Sequence, residues 1–196
     1  MSQRHSNGID WQEEMVVVTG GAGFIGSHLV DALWARGARA LTVVDDLRRG
    51  SLDNLRHIPK VYVEVLNLQD CDQISRLARL FEGAVVFHLA ARVTNIQENR
   101  YDHLGMLQDN LRINTNVVEA AIQGRPRLLE ATSTVCVYPH DAPVPTAEAA
   151  GFPFQPEDTN EGYGLAKAIL EKQAEYLHRE HNIPVVVPRF ADAFGP

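Results

Sequence analysis

The sequence predicts an α/β fold, a doubly wound parallel sheet with helices on both faces. Two observations predict it. Apolar, β-branched runs alternate with helix-period segments along the chain, as buried parallel strands joined by crossover helices require. Gly20, Gly23 and Gly26 stand between the first such run and the first helical segment, where a tight strand-to-helix turn brings backbone close to a ligand.

Taken in order, strands are expected over 15–19, 40–45, 61–65, 84–89, 127–132 and 184–189, each a short apolar run bounded by turn residues. The first helix, 24–36, puts Ile25, Leu29, Ala32 and Leu33 on one stripe and meets Gly37 as its stop. Further helices are expected over 70–81, 105–123 and 161–181. The last two are long and rich in polar residues, so their exposed sides are expected to pair in a homodimer. The proline-rich stretch 138–156 reads as a surface loop bordering the substrate. Residues 1–14 form an N-terminal extension and 15–196 a single domain.

A chain of 196 residues, 45% apolar and 22% charged, suits one well-packed core. The net charge of -7 disfavours nucleic acid, because phosphate backbones need a basic face. No apolar run is long enough to span a bilayer, and the polar start carries no secretory leader, which points to the cytoplasm. Cys71 and Cys136 are too few for a disulfide framework and lack metal-ligand spacing, so they are expected as free thiols without a metal.

A pyrophosphate needs close backbone approach, unpaired N–H groups and a positive helix terminus, and the glycine loop before the first helix supplies all three. Asp45 closes the second strand, where a carboxylate can accept hydrogen bonds from both adenosine ribose hydroxyls and repels a 2'-phosphate. NAD is therefore favoured over NADP. Arg48 and Arg49 pull the other way, since arginines there can pair with that phosphate, but the strand end fixes Asp45 more firmly.

Tyr163 and Lys167 lie one helical turn apart in EGYGLAK, on one helix face. An ammonium near a phenol favours the phenolate and brings it toward neutrality, making Tyr163 a usable acid and base. Thr134 follows the fifth strand, whose carboxyl end should open onto the glycine-loop crevice. Its hydroxyl can hold the substrate oxygen that Tyr163 deprotonates while hydride passes to nicotinamide.

The set TGGAGFIGSHLV, VVDDL, VFHLAA, ATSTVCVYP, YGLAK and RFADAFGP, in that order, resembles the extended short-chain dehydrogenase/reductases that act on nucleotide sugars, across nearly all of 15–196. The resemblance implies a Rossmann-type NAD-binding domain with Thr134, Tyr163 and Lys167 catalytic, Lys167 also holding the nicotinamide ribose. It implies cofactor contacts from Phe24 and Ile25 in the loop, from Asp46 beside Asp45, and from Asn67 and Leu68 at the adenine. Leu89, Ala90, Ala91 and Thr132 line the cofactor in the same reading, Asn110 supports the site from the next helix, and His88 is structural.

The segments HLAARVTNIQENRYDHLGM, TVCVYP and PEDTNEGYGLAK resemble the GDP-mannose 3,5-epimerase and GDP-fucose synthase branch more than the UDP-galactose 4-epimerase branch. In that branch a cysteine sits two residues beyond the catalytic Ser or Thr, the place of Cys136. On an extended segment Thr134 and Cys136 share a side, which would let the thiol move protons beside a 4-keto group. The other reading of Cys136 is a small buried hydrophobe. Val135 and Cys136 stand where dehydratases of the family carry an acidic pair, which disfavours elimination. Asp192 replaces an asparagine near the sugar diphosphate.

The expected activity is an NAD-dependent nucleotide-sugar epimerase acting on a nucleotide-diphosphate sugar through a transient 4-keto sugar. The alternatives are a 4,6-dehydratase or epimerase-reductase of the same family, and, from another class, a non-catalytic NAD-binding sensor or truncated module. The last follows from the C-terminal substrate lobe that the resemblance implies and that would fall beyond residue 196.

Overall fold

The computed structural model describes residues 9–38, 40–94, 100–151, 156 and 158–195. Residues 1–8 of the expected extension, 152–155 of the proline-rich loop and 95–99 of the segment after the fourth strand lie outside these. Among the described residues the architecture is carried by β1 Met15–Thr19, α1 Phe24–Ala35, β2 Ala40–Asp45, β3 Val61–Val65, α2 Ile74–Phe81, β4 Val85–His88, α3 His103–Gly124, β5 Leu128–Ala131, β6 Ser133–Thr134, α4 Glu161–His181, β7 Val185–Val186 and β8 Arg189–Phe190.

Six strands form a parallel sheet in the order β3-β2-β1-β4-β5-β7, and β6 pairs with β8 beside it. The order reverses between β1 and β4, which opens a crevice at their carboxyl ends. Alternation along β1 builds both layers. Val17 joins Val44, Leu77, Phe81, Val86, Val117 and Leu177 under α2, α3 and α4, while Val16 and Val18 join Val30, Leu33, Leu41 and Val43 under α1. Trp11, ahead of β1, packs on Phe87 with ring centroids 6.3 Å apart, and Glu14 is ion-paired with Arg127.

Local chemistry sets the element ends. α1 stops at Ala35 and Gly37 follows at φ +101, a conformation glycine adopts without steric cost. The expected helix 70–81 opens as a 3-10 turn over Cys71–Gln73 before α2 begins. α3 starts two residues earlier than expected, because the Asp102 side chain accepts from Gly105 N and caps it. The expected strand 184–189 is a correction: it is two strands, β7 in the main sheet and β8 against β6. Pro188 lacks the N–H that a continuous ladder needs, and its carbonyl instead accepts from Ser133 N.

Candidate active site

The glycine loop is compact for reasons of space. Gly20 sits at φ +71, and a Cβ there would lie 2.8 Å from Ala90 N. A Cβ on Gly26 would lie 2.2 Å from the Gly20 carbonyl oxygen, so only glycine lets the first turn of α1 close on the loop. Gly23 caps α1 without a side-chain hydrogen bond, which leaves the opening N–H groups of the helix for an anion.

Gly20, Gly23, Phe24, Ile25 and Gly26 line a cavity of about 840 Å³. Around it stand Asp45 and Asp46 from the end of β2, Asn67 and Leu68 after β3, and Leu89, Ala90 and Ala91 after β4, followed by Thr132, Thr134, Tyr163, Lys167 and Asp192. Sequence segments far apart thus converge on one site. Asp45 is buried, accepting from Ala22 N at 3.0 Å and Leu47 N at 2.9 Å, and each oxygen keeps a second lone pair for a ribose hydroxyl. Arg48 is ion-paired with Asp46 at 3.2 Å, and Arg49 donates to the Val93 carbonyl across the cavity at 2.8 Å. The two arginines that argued for a 2'-phosphate are thereby engaged by the protein itself.

Asn110 and Cys136 are not among the lining residues. Asn110 is fully buried, accepts from Arg92 N and donates to the carbonyls of Arg92 and Met106. It therefore shapes the loop after β4 from behind, the supporting place that the resemblance implies, and does not itself line the cofactor cavity. The Arg92 side chain pins the same loop through Asp102 and Asp109, at 2.6 and 3.1 Å.

Cys136 requires a correction. Val135–Val137 is a 3-10 turn rather than an extended segment, held by Cys136 N donating to the Thr134 hydroxyl oxygen at 3.2 Å. Strand alternation therefore does not bring Thr134 and Cys136 to one side. Both cysteines are free thiols.

Three consecutive hydroxyls sit at the end of β5, and the structure separates their roles. Thr132 donates to the Glu130 carboxylate and Ser133 to Glu171. The Thr134 oxygen accepts a hydrogen bond instead, which leaves its proton for a substrate oxygen.

Lys167 is buried, and its Nζ donates to the Thr132 carbonyl at 2.8 Å while lying 5.8 Å from the centre of the Tyr163 ring. Burial pulls Lys167 down to about 8, opposed by the Glu130 charge. Burial pushes the Tyr163 phenol up, and Cys136 adds to the rise. This corrects the expectation that Lys167 brings Tyr163 toward neutrality: loss of water around the phenol outweighs an ammonium turned toward a carbonyl.

His88 is fully buried between Thr19 and Asn114, at 2.8 and 3.2 Å. Burial first, then the Lys167 charge, pulls it down to about 3, so it is neutral, with Nε2 donating to the Asn114 side-chain oxygen. Asn114 donates in turn to the Ala166 carbonyl, tying β4 to the residue before Lys167. Sequence reasoning missed Asn114, Glu130, Glu171 and Arg189. Its available signal was a polar residue on an otherwise apolar helix face or strand, as in LLEAT. Among the described residues no cluster of His, Cys, Asp or Glu could hold a metal ion, and no helix is long and apolar enough to cross a membrane.

Fold and site together define a dinucleotide-binding α/β domain. Residues 16–196 match the model of the NAD dependent epimerase/dehydratase family, and the chain belongs to that family, whose cofactor is NAD. The resemblance to extended short-chain dehydrogenase/reductases is thus borne out. A UDP-N-acetyl-alpha-D-glucosaminuronate decarboxylase of Bacillus cytotoxicus is 28% identical over 92% of this chain and 54% of its own. GDP-mannose 3,5-epimerase of Arabidopsis thaliana is 27% identical over 95% of this chain and 49% of its own. The crystal structure of UDP-glucose 4-epimerase with UDP-glucose from Thermotoga maritima superposes with a TM-score of 0.79 and 30% identity, over 92% of this chain and 56% of that one. The chain spans about half the length of the curated relatives it matches.

Proposed function

We propose that this protein is an NAD-dependent epimerase of nucleotide-diphosphate sugars, acting through a transient 4-keto sugar. The observation that carries the reading is that Thr134, Tyr163 and Lys167 line the same cavity as the glycine loop and Asp45. NAD, when bound, takes up and returns a hydride. The loop N–H groups and the α1 terminus would hold its pyrophosphate, and Asp45 its adenosine ribose. Thr134 donates to the sugar 4-oxygen, Tyr163 accepts and later returns that oxygen's proton, and Lys167, anchored on the Thr132 carbonyl, would hold the nicotinamide ribose.

Epimerisation is preferred to elimination because Val135 and Cys136 hold the positions after Thr134 and neither is acidic. Proton exchange at sugar carbon 3 or 5 falls to Cys136 in this reading, a half-buried thiol close enough to the cavity-lining Tyr163 to act on its phenol. A homodimer formed through the outer sides of α3 and α4 belongs to the same proposal.

The test is incubation with NAD and a panel of GDP- and UDP-sugars in heavy water, followed by NMR of the sugar. The reading expects a changed stereocentre. Deuterium at carbon 3 or 5 would bring Cys136 into the chemistry, and an unlabelled 4-epimer would leave it out. Carbon dioxide released from a nucleotide uronic acid, or a 6-deoxy-4-keto product, would overturn the epimerase reading.

A further inference from the structure

Glu130 occupies the middle of β5, where its register partners are Phe87 on β4 and Val186 on β7. It is only 9% exposed. A carboxylate at such a position costs free energy unless it is hydrogen-bonded and paired. Both its oxygens accept from the Thr132 hydroxyl, at 2.9 and 3.2 Å, and the Thr132 carbonyl accepts from Lys167 Nζ at 2.8 Å. Thr132 is thus held at one end by the carboxylate and receives the ammonium at the other.

We propose that Glu130 is a positioning residue of the site: it fixes Thr132 and supplies the counter-charge that holds the buried Lys167 ammonium beside Tyr163. The role rests on the reading of Tyr163 and Lys167 as the hydride-transfer pair. Its electrostatics are reciprocal. Burial pushes Glu130 up to about 7, with Thr132 and Lys167 opposing the rise, and the Glu130 charge in turn opposes the fall of Lys167. The other groups facing the pair are His88 from β4, which is neutral, and Tyr163 from α4; Phe87 and Val186 do not ionise. Two opposite charges in one low-dielectric space titrate as a unit, so altering either moves the other.

The experiment is an NMR titration of the Lys167 side-chain signals in the wild-type chain, in Glu130→Gln and in Glu130→Asp. Glu130→Gln keeps an acceptor for Thr132 and removes the charge, and the Lys167 midpoint is expected to fall by about one pH unit or more. Glu130→Asp restores the charge and is expected to return the midpoint most of the way. In the reciprocal arm, the Glu130 carboxyl carbon is followed in Lys167→Met, where its midpoint should rise. An unmoved Lys167 midpoint in Glu130→Gln overturns the proposal, and so does an unmoved Glu130 midpoint in Lys167→Met. The second arm decides if Glu130→Gln does not fold. Neither arm uses cofactor or substrate, so failure of the epimerase reading leaves these titrations standing. Unmoved titrations remove Glu130 with the hydride chemistry intact.

Discussion

At the scale of single residues, position in the chain does not distinguish Thr132, Ser133 and Thr134, but hydrogen bonding does. Ser133 gives its proton to buried Glu171, whereas the Thr134 oxygen accepts from the following turn. Thr134→Ala is therefore expected to lower turnover on the order of a hundredfold or more, with about 1 kcal/mol of stability lost with its cap on the Val135–Val137 turn. Ser133→Ala should spare turnover and cost about 1–3 kcal/mol of stability through the hydrogen bond lost to the Glu171 carboxylate, which keeps Arg189. Steady-state rates and thermal melts of the two variants, side by side, check the pair. Gly26→Ala is a third case: its Cβ would meet the Gly20 carbonyl at 2.2 Å, so the loop must open. NAD binding, followed by calorimetry, should fall even where the variant still folds. The glycines, Asp45 and the Tyr163–Lys167 spacing were legible in the sequence because each is a local pattern with one chemical purpose. The protonation of Tyr163 was not, because it depends on how much water the folded chain removes from the phenol.

At the scale of elements, the Glu171–Arg189 pair fastens α4 to β8. Arg189 donates to both Glu171 oxygens at 2.8 and 2.6 Å, to Tyr138 and to the Glu148 carbonyl, and its side chain is 12% exposed against 5% for Glu171. Removing one partner leaves a buried charge uncompensated, so Arg189→Met should cost about 3–5 kcal/mol in denaturant unfolding. The strand pattern of 184–189 was legible as an apolar run, but its division into β7 and β8 turns on Pro188 and on β6, a partner strand far away in sequence. The turn at Val135–Val137 was hidden likewise, since apolar β-branched residues read as strand while the Thr134 side chain closes the backbone on itself.

The buried carboxylate of β5 also gives the fold a pH signature. Glu130 titrates at about 7 in the folded chain against an ordinary 4.5, so the folded state binds the extra proton between those values and its stability falls as pH rises from about 4.5 to 7. Lys167, lowered from 10.5 to about 8, acts above that window: the unfolded chain holds the extra proton there, so stability is regained as pH rises from about 8 to 10.5. Urea midpoints of wild type and Glu130→Gln across this range should diverge between 4.5 and 7, with the variant gaining on the wild type.

At the scale of the whole molecule, the sheet brings the segments after β1, β2, β3, β4 and β5 around one cavity with Tyr163 and Lys167 of α4; the parallel sheet was readable from the alternation of strand and helix, whereas its strand order depends on pairings between segments far apart in sequence. The assembly of α3 and α4 into a dimer was argued only from their polar outer sides, and sedimentation of the chain should give the mass of two copies if that proposal holds. The central claim is narrower: the cavity between the glycine loop and the Thr134–Tyr163–Lys167 group is an NAD site. Calorimetric titration of the folded chain with NAD and with NADP tests it most directly. Saturable one-to-one binding of NAD, with NADP weaker by roughly tenfold or more because Asp45 repels its 2'-phosphate, is the expected result. A folded chain that binds neither, or that prefers NADP through Arg48 and Arg49, would contradict it.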